Sequence, residues 1–124
     1  MKEGVEFVTS GVSEGKGTRW NYPLMAEIIE RKVKDAISKN LDEAKKVAAS
    51  TSKRACVKLR FKKKTVIEIA ERGKNGKLPS YDGIVYRVRL AVRQLGFKAR
   101  RNDDDLVVVL TANDLQRYIN EMEE

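Results

Sequence analysis

The chain has no histidine, one cysteine, one tryptophan and only two glutamines, and it has no long apolar run. Each shortage narrows the field. Without histidine the common zinc sites are excluded, and no nucleophile stands beside a recognisable base, so neither a metal site nor a catalytic constellation is expected. Nor is any cofactor. Cys56 alone cannot build a disulfide framework and reads as a small strand residue. The longest uninterrupted apolar stretch, residues 106–110, is far too short to span a membrane. The N-terminal MKEGVEF lacks the charged-then-apolar layout of a secretory signal, so a cytoplasmic protein with no membrane partner is expected. Few glutamines beside abundant Lys, Arg and Glu match the composition of hyperthermophile proteins.

What the chain does have is charge. With 124 residues, 41% apolar and 35% charged, residues 1–124 are expected to form one domain around one core. The net charge of +8 is unevenly spread: residues 53–101 carry 16 basic and three acidic side chains, residues 102–124 one and seven. A basic middle third attracts polyanions, of which nucleic acid is the commonest in the cytoplasm. The plainer reading, a solvated thermophile surface, fits less well because such surfaces intersperse the two signs.

Residues 5–12 favour a strand, and GVSEGKG then breaks it. From Pro23, apolar positions recur at Met25, Ile29, Val33, Ile37, Leu41, Ala44 and Ala48, which predicts one long helix or a pair divided near residues 39–41. Residues 54–62 alternate strictly: Val57, Leu59 and Phe61 share one face, and Arg54, Cys56, Lys58, Arg60 and Lys62 share the other. Thr65 with Glu68 predicts a capping box for a short helix ending at Gly73. Ser80 is the expected N-cap of a helix over residues 81–95, with Gly96 as its stop. Residues 97–101 and 106–111 flank NDDD as a hairpin, and Thr111 with Asp114 opens a last helix. The order predicts an α+β fold: an antiparallel sheet of about four strands with helices packed mainly on one face.

Two motifs resemble chemistry without supporting it. Residues 11–18, GVSEGKGT, look like a phosphate loop, but the spacing is one residue short and RWNYP separates Thr18 from the helix. Asp103, Asp104 and Asp105 are consecutive residues at a tight turn, which aspartate favours on its own account. The basic strand carries more. If helices cover the Val57 face, Arg54, Lys58, Arg60 and Lys62 lie exposed, Lys98 and Arg100 join them, and alternate members of residues 106–110 give an apolar floor. Such a surface suits an unpaired strand, whose phosphates need cations and whose bases need apolar or aromatic contact. A sheet covered on both sides would instead force those charges to snorkel at its edges. Arg89 and Arg93 share a helix face with Tyr86 and complete the candidate cations. Arg19 and Trp20 stand in the loop before the first helix, where the ring either anchors the core or meets a ligand. Tyr22, just before Pro23, is equally well read as a hydrophobic staple.

Two rival classes remain. Helix, strand, helix, helix, strand, strand is also the order of a winged helix, with residues 80–95 as the recognition helix in a duplex major groove. Against it stand an acidic wing tip and a long connection between residues 73 and 80. The other rival is a protein-interaction module of a ribonucleoprotein.

The combination of an N-terminal strand, GTRWNYPLM entering a long helix, the basic strand RACVKLRFKKK and the closing hairpin FKARRNDDDLVVVL resembles the archaeal thermoDBP and thermoDBP-related single-stranded DNA-binding proteins. The resemblance implies helices against an antiparallel sheet and a basic, partly hydrophobic cleft for one strand, DNA ahead of RNA. Some members dimerise through a C-terminal coiled coil, which this sequence does not show before Glu124, so a homodimer is left open. No residue role is carried over; the site residues above come from the face analysis.

Overall fold

The computed structural model describes residues 20–123. Among them run α1 (Tyr22–Lys39), α2 (Leu41–Ala48), β1 (Cys56–Phe61), α3 (Lys63–Gly73), α4 (Tyr81–Gln94), β2 (Lys98–Asn102), β3 (Asp105–Thr111) and α5 (Ala112–Met122). The chain is thus α+β, with five helices and a three-stranded antiparallel sheet among the described residues. The strand expected over residues 5–12, the glycine loop of residues 11–18 and Arg19 lie outside them.

Helix α1 starts at an N-cap, Asn21, ahead of the expected start at Pro23. The Asn21 Oδ1 accepts the Leu24 N–H at 3.0 Å, and Pro23 sits in the first turn, where its missing N–H costs nothing. Tyr22 is therefore the first helical residue, and Trp20 is the one that precedes the cap. The predicted division of the long helix falls at Asn40. Its side-chain amide donates to the Ala36 carbonyl at 2.9 Å and its backbone N–H to the Ile37 carbonyl at 3.1 Å. Both bonds take up carbonyls that a continuing helix would use, so α1 and α2 are a pair.

The predicted box at Thr65 and Glu68 does not form. Phe61 is buried at the end of β1 and α3 begins only two residues later, which places Thr65 inside the first turn. That register turns Val66, Ile69 and Ala70 into the core, and the burial of three apolar side chains outweighs one cap. Helix α4 buries Ile84, Val85, Val88, Ala91 and Val92, and Gly96, at φ +89°, ends it in the left-handed conformation that glycine adopts freely. The Ser80 side chain makes no capping bond. At α5 the expected capping box of Thr111 and Asp114 is complete.

The strand order is β1-β3-β2, so β3 lies between the two basic strands rather than beside them as a third member. Val57, Leu59 and Phe61 stand opposite Leu110, Val108 and Leu106, and Ala99 opposite Val108. These side chains join the core formed with α1, α3, α4 and α5. Tyr118 of α5 is buried in it, donates to the Glu30 carboxylate at 2.8 Å, and has its hydroxyl pushed up to about 12, chiefly by burial.

Candidate nucleic-acid interface

The other side of the sheet follows from the same pleat. Lys58 stands opposite Val109, and Val109 opposite Lys98; Arg60 stands opposite Val107, and Val107 opposite Arg100. Two cation–valine–cation rungs result. Neighbouring strands are about 4.8 Å apart, so the cationic rows run about 10 Å apart with the valines between them. All four cations are exposed. Val107 is only 5% exposed although it lies outside the connected core. Its rung neighbours are two arginines, whose aliphatic stems can cover a valine while their heads stay in water.

An acid closes one end of this face. Arg60 donates to the Asp105 carboxylate at 3.0 Å, and Lys62 Nζ lies 3.6 Å from the same oxygen. The Arg60 hydrogen bond, with Lys62 beside it, holds the Asp105 carboxyl below the usual carboxylate range. Arg60 and Lys62 are thus partly engaged, while Lys58, Lys98 and Arg100 have no acid on their rungs.

No described aromatic ring lies on the outer face. Phe61, Phe97 and Tyr118 are in the core. The Tyr81 ring lies between Lys63, 4.9 Å away, and Arg101, 5.3 Å away, and its hydroxyl donates to the Asp104 carbonyl. Burial foremost raises that hydroxyl's pKa. Arg101 donates to the Asp82 carboxylate at 2.6 Å and to the Asp103 carbonyl at 2.7 Å. The acidic turn, with Asp103 at φ +56°, is therefore tied to the first turn of α4. These contacts engage the aspartates as a turn and as cation partners.

The remaining rings gather where α1, α3 and α4 meet. The Asn21 N–H donates to the Gly73 carbonyl at 2.7 Å, and Trp20 forms an isolated bridge with Lys74. A Cβ at Gly73 would fall onto Cγ and Sδ of Met25, so only glycine lets the start of α1 lie this close to the end of α3. Trp20 is half-buried and packs against the core. Arg87 donates to the Tyr22 hydroxyl at 2.7 Å, with its guanidinium 5.9 Å from the Trp20 ring and 5.7 Å from the Tyr86 ring. Trp20 and Lys74 line two cavities, of about 400 and 590 Å³; neither is lined by a sheet residue.

The predicted site residues therefore divide. Lys58, Arg60, Lys98 and Arg100 share the outer face, with Lys62 just past its end. Arg54 lies in the turn before β1, not in the strand, because pairing with β3 begins only at Cys56. Trp20 and Tyr22 belong to the helix junction, not to the edge of the basic sheet. Arg89 and Arg93 are exposed on α4, whose buried side packs with the inner face of the sheet, so they point away from the outer rows. Arg87, Lys74 and Lys77, which complete the Trp20 cleft, were outside the single-strand site read from sequence. The Arg87–Tyr22 bond spans 65 positions and leaves no local signal. No described helix is long and apolar enough to cross a membrane. Comparison with protein-family models, with characterised proteins and with solved structures finds no match to this chain.

Proposed function

We propose that this is a non-enzymatic nucleic-acid-binding domain that takes a single strand across the outer face of its sheet with little sequence preference. In this reading the helices stack on the inner face and leave the outer face to the ligand. The observation that carries it is the pair of cation–valine–cation rungs. Phosphates follow the cationic rows, and unpaired bases lie over the half-exposed Val109 and the arginine stems that flank the buried Val107, a contact that paired bases inside a duplex do not offer. Four phosphate contacts would give a salt slope of about −3 for a single strand. The preference for DNA over RNA rests on the resemblance to the thermoDBP proteins.

The test is fluorescence anisotropy with matched single-stranded DNA, RNA and duplex oligonucleotides across a salt series. Tighter single-strand binding, with a slope that flattens in Lys98→Glu/Arg100→Glu, supports the reading. Preferred duplex binding that ignores those substitutions overturns it.

One observation favours a second reading. The order β1-β3-β2, with α1 before β1 and the pair α3 and α4 before β2, is the connectivity of a winged helix. Helix α4 would then enter a major groove with Tyr86, Arg89 and Arg93. Two features count against it: Asp82 in the first turn of α4, and the acidic hairpin turn folded back onto that turn, both of which oppose phosphates. Duplex binding lost in Arg89→Glu/Arg93→Glu would establish this alternative.

A further inference from the structure

We infer that the cleft between Trp20 and Tyr86 seats one unpaired nucleobase together with an adjoining phosphate. This rests on the nucleic-acid reading and adds to it a site on a different surface. The larger cavity beside Trp20, about 590 Å³, is of small-molecule size, and Lys77, Pro79, Gly83, Tyr86 and Arg87 complete its wall. Tyr86 is 58% exposed, the only large hydrophobic side chain among the described residues that is. Its ring is therefore not committed to the core and is open for stacking. The half-buried Trp20 ring lines the same cavity.

The Arg87 guanidinium lies within 6 Å of both rings, and its bond to the Tyr22 hydroxyl fixes it before any ligand arrives. A cation held in place adds little ordering cost on binding. Lys74 and Lys77 bring two more positive charges to the wall, and the acid that lines it, Asp82, is engaged by Arg101 at 2.6 Å. A Cβ on Gly83 would lie 3.2 Å from the Pro79 ring, tighter than an ordinary contact, so glycine lets Pro79 approach α4 closely where both line the cavity. Flat π surfaces beside a fixed guanidinium match a planar base attached to a phosphate, and stacking is the sequence-tolerant way to hold one.

Trp20 is the only tryptophan of the chain, so its emission reports this cleft. The full chain is titrated with an end-labelled oligothymidylate of about twelve nucleotides and with an abasic sugar–phosphate oligomer of equal length and charge. Anisotropy reports binding at any surface. The expected result is that thymidylate quenches Trp20 and the abasic strand does not. Tyr86→Ala should weaken thymidylate binding about fivefold to a hundredfold and leave abasic binding unchanged, while Tyr86→Phe restores it. Tyr86 is exposed, and an unchanged melting curve verifies that the variant folds. Binding by anisotropy with unchanged Trp20 emission, or equal losses for both oligomers in Tyr86→Ala, overturns the seat and leaves the sheet reading standing. Failure of every oligomer to bind overturns both.

Discussion

The outer face of the sheet and the Trp20 cleft are both cationic, yet they are built in opposite ways. On the sheet, Lys58, Arg60, Lys98 and Arg100 flank two valines and no ring. In the cleft, Arg87 lies within 6 Å of two rings and is held by its bond to the Tyr22 hydroxyl. Exposed cations over an aliphatic floor attract any phosphate backbone, and salt screens that attraction. Rings with a fixed cation respond to whether a base is free to stack. The two proposed sites thus lie on separate surfaces, and salt and base stacking test them separately.

The largest effect expected from breaking this division is at the sheet. Lys98→Glu/Arg100→Glu should weaken single-strand binding about a hundredfold at low salt and flatten the salt slope by at least about 1.4, with Trp20 emission in the free protein unchanged. Anisotropy across a salt series reads both. Gly73→Ala attacks the other region. Its methyl group overlaps the Met25 side chain, and overpacking of this kind costs about 1–3 kcal/mol. A melting temperature lower by several degrees, with the sheet's salt slope retained, would separate the junction's stability from the sheet's binding.

Tyr118→Phe sharpens the comparison by disturbing the core that both regions share. Loss of its bond to Glu30 should cost about 1–2 kcal/mol. The folded hydroxyl titrates at about 12, above its unfolded value near 10. Its contribution is therefore fully present below pH 10 and lost as pH rises toward 12, so the alkaline loss of stability should be smaller in the variant. Denaturant unfolding at several pH values measures this. The smallest effect is a gain: Asp105→Asn releases Arg60 and Lys62 and should tighten single-strand binding a few-fold, with a steeper salt slope.

How far each region could be read in advance depended on distance along the chain. Strict alternation in residues 56–61 identified the inward and outward sides of β1, because successive strand residues face opposite ways whatever their partner. The break at Asn40, the stop at Gly96 and the box at Thr111 were legible for the same reason: each is completed within a few residues. Thr65 and Glu68 offered an equally good local signal, and it failed because the burial of Val66 and Ile69 set the start of α3. Arg54 continued the alternation on paper but lies before the first residue that pairs with β3.

The sequence by itself determined the α+β order of elements, the concentration of positive charge in the middle third and the side of each strand to which its cations point. These depend on composition, backbone period and near-neighbour chemistry. Only the tertiary structure decided that β3 separates the two cationic rows, and that Trp20 lies with Lys74, Tyr86 and Arg87 at the helix junction. Strand order and the meeting of Tyr22 with Arg87 are contacts across long stretches of chain. Burial of a shared core selects them, and no local pattern encodes them.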